Sequence, residues 1–388
     1  MLASARDEPA AAPERPKGSL AMSWRLLWHC ASSSPHTEPL IDETLPRARW
    51  ETFCNDAESH GIAPLVYEAL HRRQSEVPDE VLRVLRGLRL RHRRVAAARN
   101  AALAELTQAF REAHLDLLLL KGSALGPLLY PDAALRATRD VDLLTRPEEV
   151  DRAVACLQAI GYRTFGDPEW HHAAPLAKMV LGAQITIEVH RSLGIEDLGS
   201  GKELPGQTYD ELAPRAQPVA HPAFSAATLG PEDTLWHVVR HGFMRRLFDD
   251  RFRLVSLADT VRIVETWLDR IDWDHVRRKD RQLLPALAML HHLTPWSPRV
   301  MSALALRPGR PPGRVGECYY GWPRSRTANL FTTLWPAEWW LHLRYGGGPG
   351  LWGLARSAFA FWRELWFELR AARHPATRPE VPPDRSAA

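Results

Sequence analysis

The hydrophobic pattern changes near residue 114, and this change limits what the chain can fold into. Before it, apolar residues recur at intervals of three and four, as at Leu103, Leu106 and Phe110, which predicts helices. Residues 115–120 instead form a compact apolar run that ends at Lys121, and its length suits a buried strand. A helical region is therefore followed by a segment that contains strands.

Three further segments complete a small α/β unit. Residues 140–144 are a second short apolar run, and Pro147 with two following acids is typical of a first helical turn. That helix is expected to end before Gly161. Residues 184–190 alternate apolar and polar side chains, the period of a half-buried strand. We predict an α+β fold, with a small mixed-sheet core flanked by N- and C-terminal helical regions.

The composition of the rest of the chain indicates where its regions begin and end. Both ends are rich in proline and polar residues, so neither is expected to bury enough surface to order itself. The predicted organisation is a disordered N-terminus (1–20), an N-terminal helical region (21–113), the α/β core (114–198), a Gly/Pro/Ala-rich connection (199–230), a C-terminal helical region (231–345), a Trp-rich amphipathic helix (346–373) and a disordered tail (374–388).

The overall charge and the cysteines exclude several classes of protein. The 50 basic residues are scattered among 46 acidic ones, so the net charge of +4 does not form a nucleic-acid-binding patch. The four cysteines form no CxxC pair, which argues against a zinc knuckle and a disulfide framework. The sequence contains neither a signal peptide nor an apolar run of 18 residues, so a cytoplasmic protein without a transmembrane segment is expected.

The first feature that indicates chemistry lies after the strand that ends at Leu120. Gly122 and Ser123 follow this strand and precede a predicted helix over residues 124–129. Backbone amides at such a turn, with the positive end of a helix behind them, suit a phosphate group. Glycine allows the backbone to approach closely, and serine adds a hydroxyl donor.

The second feature is a set of three carboxylates. Asp140 and Asp142 flank Val141 on an extended segment, so their side chains share one face of the strand. Glu188 shares a face with His190 in the alternating segment, and it joins the pair if the two strands are neighbours. Such crowded carboxylates favour a Mg²⁺ or Mn²⁺ ion, which removes their repulsion and binds substrate phosphates. This arrangement is typical of a two-metal phosphoryl-transfer site.

Residues 117–163 resemble the core of the poorly characterised bacterial nucleotidyltransferases of the DNA polymerase beta superfamily. Lys121-Gly122, Arg136 and the Asp140–Asp142 pair stand at the motif positions, and ITIEVHRSL at 185–193 is similar to the family's third-carboxylate strand. LGPEDTLWHVVRHG, LVSLADTV and RIDWDHV resemble its helical carboxyl region. The resemblance runs from residue 24 to residue 345. It departs from the family in a longer interval before Asp140 and in Arg139, where a small residue is more usual.

The resemblance implies a transferase that binds ATP or another NTP and moves its nucleoside monophosphate to an acceptor hydroxyl, releasing pyrophosphate. Asp140, Asp142 and Glu188 would be the catalytic residues and the ligands of Mg²⁺ or Mn²⁺. Gly122 and Ser123 would hold the triphosphate, assisted by Lys121 or Arg136. The acceptor stays open, as a small molecule, a peptide or a protein, because relatives modify many kinds of molecule.

Other interpretations of the same features stay open. The fold also suits a catalytically silent nucleotide-binding or interaction module, or a metal-dependent phosphohydrolase. Lys121 is also explained as a solvated residue that closes a strand, and Arg136 is nearly as well explained by a structural salt bridge. His171, His172 and His190 suggest zinc only weakly, since no HExxH or cysteine pair completes a site.

The carboxyl-terminal aromatic segment has two interpretations. Residues 351–369 place leucines and Trp362 on one helical stripe, with Trp352, Phe359 and Trp366 beside it. Arginines and glutamates are nearly balanced in this segment. Packing on the helical region or on a partner chain is therefore favoured over contact with a membrane surface.

Overall fold

A seven-stranded mixed sheet forms the centre of the protein in a computed structural model. The structure describes residues 19–32, 47–72, 77–138, 140–169, 171–194, 207–243, 253–308, 341, 345 and 351–373. Helices flank the sheet, and the predicted α+β fold is confirmed. The described helices are α1 (Ser19–Ser32), α2 (Arg47–Ser59), α3 (Ala63–His71), α4 (Asp79–Glu112), α5 (Lys121–Leu129), α6 (Val150–Ala159), α7 (Tyr209–Leu212), α8 (Pro231–Phe243), α9 (Leu254–Trp267), α10 (Trp273–Lys279), α11 (Leu283–Leu290), α12 (Pro298–Leu304) and α13 (Leu351–Arg373).

The strand order of the sheet is β3-β4-β5-β2-β1-β7-β6. The strands are β1 (Leu118–Leu119), β2 (Asp140–Leu144), β3 (Arg163–Thr164), β4 (Leu176–Val180), β5 (Ala183–His190), β6 (Gln217–His221) and β7 (Phe224–Thr228). Strands β2 and β5 are parallel neighbours, as are β1 and β7, whereas β1 and β2 run antiparallel. The three strands that the sequence predicts, β1, β2 and β5, thus lie side by side in the middle of the sheet.

Alternation along β2 and β5 separates a core face from a polar face. Val141 and Leu143 of β2 are buried in one cluster with Ile187 and Val189 of β5, and the same cluster contains Phe110 of α4. Burial of each such side chain stabilises the fold by roughly 1.5–3 kcal/mol. Because side chains alternate, the intervening residues point to the opposite face. The carboxylates are therefore fixed in place by the burial of their neighbours.

The sheet is larger than the sequence predicts. Strands β6 and β7 form an antiparallel hairpin inside the segment 199–230, which the sequence analysis treats as a connection. Pro218 and the alanines of this hairpin have low strand propensity, so the pattern hides it. Strand β7 nevertheless pairs with β1 at a central position, and tertiary pairing therefore overrides local propensity.

Strands β3 and β4 were also missed. Leu176 is buried at the start of β4, while the rest of that strand is intermediate or exposed and has no clear alternation. The clearest mark of β4 is the turn Leu181-Gly182 that follows it, where the φ angles are +48° and +78°. Two positive φ values in a two-residue loop are typical of a β-hairpin turn, and this one joins β4 to β5.

Helix boundaries differ from the prediction at the turn after β1. Helix α5 begins at Lys121 rather than after Ser123, so Gly122 and Ser123 belong to its first turn. The helix α6 prediction is confirmed, including the stop at Gly161, where φ is +92°. Residues 19–20 belong to α1, whereas the predicted disorder of 1–18 and 374–388 lies outside the described residues, as does Arg139.

The carboxyl-terminal aromatic segment forms helix α13, as predicted. Its buried residues Phe361 and Leu365 pack with Leu341, while Trp362, which the predicted stripe includes, is 49% exposed. Phe361 thus takes the place on the packed face that the pattern assigns to Trp362, while Leu354 and Leu365 of the predicted stripe do pack there. No helix among the described residues is long and apolar enough to cross a membrane. A partner or membrane contact through residues 351–369 stays a prediction.

Candidate active site

Parallel pairing of β2 and β5 brings the three predicted carboxylates together. Asp142 is the register partner of Glu188, and Asp140 is the partner of Thr186. Asp140 and Asp142 share the polar face of β2, so all three side chains extend from the same side of the sheet. The expectation that these two strands lie side by side is confirmed.

Asp142 is the centre of a buried polar network. Lys121 Nζ donates a hydrogen bond of 2.7 Å to Asp142 Oδ1, and His190 Nε2 lies 3.0 Å from the same oxygen. Burial by itself would raise the pKa of Asp142, but Lys121 and the His190 hydrogen bond outweigh it and hold the pKa well below its ordinary value. Asp142 is therefore ionised although its side chain is only 2% exposed.

Asp140 has the opposite electrostatic setting. Burial, followed by the charge of Asp142, raises the pKa of Asp140 to about 6, and Glu188 adds to the effect. Lys121 opposes this shift but does not cancel it. Two neighbouring carboxylates thus differ in their pKa, since Asp142 is paired with cationic side chains, whereas Asp140 is buried and crowded by other acids. A cation close to Asp140 would relieve the crowding.

The side chains present fit a divalent cation. Ligand atoms of Asp142, Glu188 and His190 lie within 4.8 Å of one another. His190 Nε2 is 3.6 Å from Glu188 Oε2, and both carboxylates raise the pKa of His190 against the effect of burial. Carboxylate oxygens are the donors that Mg²⁺ and Mn²⁺ prefer. His190 is a member of this cluster that the sequence did not place among the ligands.

The turn after β1 is strained and tightly packed. Lys121 has a φ of +48°, a conformation that costs free energy in a residue other than glycine and is often found at functional sites. A Cβ atom at Gly122 would lie 2.2 Å from Thr138 Oγ1, so only glycine fits there. Ser123 is 2% exposed, and its hydroxyl has no hydrogen-bond partner among the described residues. An unpaired buried hydroxyl in the first turn of α5 is suited to a ligand oxygen.

Arg136 is held in a structural ion pair. Its Nε and Nη2 donate to the carboxylate of Asp259 at 2.7–2.9 Å, and Tyr130 Oη donates to the same carboxylate at 2.7 Å. Both partners are buried. The structural salt bridge considered from the sequence is thus present, with Asp259 as a partner that the sequence did not reveal. A role of Arg136 in nucleotide binding stays a prediction.

Two further basic residues lie near the site, although the sequence marks neither of them as a site residue: the spacing of His237 and His241 predicts only a core or surface histidine for each. His237 of α8 is buried, and its pKa is lowered to about 3 by burial and by the charge of Lys121. Arg99 of α4 is 4% exposed, and burial followed by the charge of Arg136 lowers its pKa to about 10, whereas Asp140 acts in the opposite direction. Both face the site from helices, where a single buried base has no recognisable sequence motif.

Comparison with known families agrees with this geometry. The sequence model of a family described as uncharacterised nucleotidyltransferase matches residues 46–294, well over half of the chain. The chain belongs to this family. The match contains the whole sheet, the three carboxylates and α5, and it ends before α13. Membership supports a general role in nucleotidyl transfer, for which divalent metals are typical. A comparison with curated proteins found no match.

Proposed function

We propose that this member of the uncharacterised nucleotidyltransferase family is a metal-dependent enzyme of the DNA polymerase beta type. It would transfer a nucleoside monophosphate from an NTP to an acceptor hydroxyl and release pyrophosphate. The observation that carries the proposal is the pairing of Asp142 beside Glu188 across β2 and β5, with Lys121 on Asp142 and Asp140 on the same face. These carboxylates would hold the metal ions, and the lysine would add positive charge for the phosphates of the same substrate.

Asp140, Asp142 and Glu188 would hold Mg²⁺ or Mn²⁺, and His190 would orient Asp142 through its hydrogen bond. When bound, these cations neutralise the triphosphate and lower the pKa of the acceptor hydroxyl. The donor set supports this assignment because the crowding that raises the pKa of Asp140 is relieved by a positive charge. In the metal-free state Lys121 supplies part of that charge.

The chain's own residues would bind the substrate and move one proton. The first-turn amides at Gly122 and Ser123 and the free Ser123 hydroxyl would donate to the triphosphate. Lys121 would assist, because Arg136 is already paired with Asp259. Glu188 would accept the proton of the acceptor hydroxyl while the oxygen of that hydroxyl bonds to the α-phosphorus. The bond from that phosphorus to the bridging oxygen then breaks, and pyrophosphate leaves.

Labelling experiments test this proposal directly. The protein is incubated with each α-labelled NTP, Mg²⁺ or Mn²⁺, and a lysate of the organism that produces it, and labelled products are separated by size. The expected result is a labelled acceptor with an equal amount of pyrophosphate. Nucleotide binding without any transfer would instead support a catalytically silent binding module. Release of inorganic phosphate from the terminal position would support a phosphohydrolase.

A further inference from the structure

A second group of metal-ligating side chains lies next to the carboxylate site, in the loop before β4. Glu169 Oε2 is 3.7 Å from His171 Nδ1 and 3.7 Å from His172 Nε2. The three ligand atoms lie within 4.8 Å of one another. Ligand atoms on a tetrahedral zinc ion are about 3.4 Å apart, so only a small adjustment would bring these atoms onto one ion.

The hydrogen bonding of His172 prepares it to be a ligand. His172 Nδ1 lies 2.6 Å from the carbonyl oxygen of Ala173. Because a carbonyl oxygen only accepts, this ring nitrogen must carry the hydrogen. In the neutral ring the Nε2 lone pair therefore faces the carboxylate of Glu169, an unfavourable contact that a cation between them would reverse. A backbone acceptor on the far ring nitrogen is the usual support of a histidine bound to metal.

The backbone around these residues is fixed by the sheet. Arg191 N–H donates to the carbonyl of His171 at 2.9 Å, and Ala173 N–H donates to the carbonyl of Val189 at 2.9 Å. Glu169 N–H donates to the carbonyl of His172 at 3.1 Å, which closes the loop on itself. These bonds hold both histidines beside the end of β5. Binding a metal ion would therefore cost little further conformational entropy of the backbone.

Glycine at position 194 also fits this arrangement. Gly194 has a φ of +65°, and a Cβ atom there would lie 2.5 Å from the ring of His171. The backbone thus lies directly against the His171 ring. His190 also packs against the pair, with ring centroids 5.5 Å from His171 and 5.3 Å from His172. The two imidazoles are confined to a narrow set of orientations.

We propose that Glu169, His171 and His172 bind one divalent transition-metal ion, Zn²⁺ in the simplest case. Two imidazole nitrogens and one carboxylate are a donor set that prefers zinc over magnesium. The carboxylate cluster of Asp140, Asp142 and Glu188 has the opposite preference. His190 contacts both groups, so a zinc ion would fix the histidine that orients Asp142. The proposal does not depend on nucleotidyl transfer, because it concerns metal binding alone.

Zinc titration of the untagged full-length protein tests the assignment. The protein is stripped with a chelator, exchanged into buffer with millimolar Mg²⁺, and titrated with Zn²⁺ by calorimetry. One zinc ion per chain is expected. His171→Ala and Glu169→Gln should each weaken zinc binding by at least about tenfold, the lower bound for loss of even a supporting group. Co²⁺ in place of zinc should give visible absorption bands that both variants lose.

Matched variants separate this site from the carboxylate site. His92→Ala removes a histidine of α4 that is paired with Glu58, and it should leave zinc binding unchanged. Asp142→Asn should also keep the zinc ion. Glu169→Gln is the informative variant if His171→Ala unfolds, because Glu169 is 61% exposed in its side chain. Absence of zinc binding in the wild type, or its loss in Asp142→Asn with retention in Glu169→Gln, would overturn the proposal.

Discussion

Asp142 and Glu188 are direct register partners on the parallel strands β2 and β5, at the centre of the sheet. Asp142 is ionised and paired with Lys121, whereas Asp140, two residues earlier on the same face, has a pKa of about 6. Three carboxylates on one face of neighbouring strands are costly unless positive charge compensates them.

Nucleotide binding is predicted to require a divalent cation. The three carboxylates would otherwise repel a triphosphate that carries several negative charges, and Lys121 alone does not balance them. Isothermal titration with ATP, in Mg²⁺ and then in EDTA, measures the difference. Equal affinity under the two conditions would count heavily against the metal assignment.

Asp140→Asn is predicted to raise the melting temperature of the metal-free protein at pH 8. The pKa of Asp140 is raised from 3.8 to about 6 in the folded state. The folded protein therefore binds this proton more tightly than the unfolded chain, and stability is lost as pH rises from about 4 to 6. Asparagine avoids that loss. Melts in EDTA at pH 4.5 and pH 8 should show an advantage at pH 8 that shrinks at pH 4.5.

The Mg²⁺ response provides the control for this stability prediction. Binding of the ion to the folded state stabilises the wild type through its carboxylates, and the variant should gain less. A variant that melts below the wild type at pH 8 in EDTA would show that ionised Asp140 is not a source of repulsion.

Breaking the pair of Arg136 and Asp259 is predicted to destabilise the fold. Both side chains are buried, so removing one partner leaves an uncompensated charge at a cost of about 3–5 kcal/mol. Arg136→Met and Asp259→Asn should lower the free energy of unfolding in urea by similar amounts. If Arg136→Met leaves stability unchanged but weakens ATP binding, then Arg136 serves the nucleotide rather than the fold.

Truncation before Gly350 is predicted to leave nucleotide binding intact. Among the described residues outside α13, its apolar contacts are with Leu341 and Tyr345, and the helix supplies none of the proposed ligands. Affinity for ATP with Mg²⁺ should change less than about twofold, a difference of only about 0.4 kcal/mol. A truncated protein that stays folded but no longer binds ATP would show that α13 belongs to the site.

The sequence predicts the centre of this fold better than its edges. Strand β2 is recovered at Asp140–Leu144 and β5 begins one residue before its predicted start, because each has buried apolar residues in a clear pattern. Strands β6 and β7 were missed because small residues and Pro218 give no strand period. They become strands through tertiary pairing, β7 with β1 and β6 with β7.

The candidate site, like the fold, is predicted by the sequence only in part. Alternation places Asp142, Glu188 and His190 on one face once the strands are neighbours, whereas the register comes from the strand pairing itself. The contact of Arg136 with Asp259 of α9, at a separation of 123 residues, depends on how a helix docks on the sheet. Local sequence patterns carry no information about such distant partners.

Nucleotidyl transfer by the wild type, Asp142→Asn and Glu188→Gln decides whether these carboxylates are catalytic. Losing an anionic ligand removes several kcal/mol of charge stabilisation, so Asp142→Asn should lower turnover at least about 100-fold. Glu188→Gln should lower it by about 10²–10⁴-fold while sparing much of the nucleotide affinity. Asp151→Asn, an exposed carboxylate of α6, is the matched control and should be fully active.

Pyrophosphate release and label transfer are followed together over time, with circular dichroism to verify folding. The account predicts folded variants in which both signals fall by the same factor and an unaffected Asp151→Asn protein. Wild-type transfer by a folded Asp142→Asn protein would contradict the proposed catalytic carboxylates.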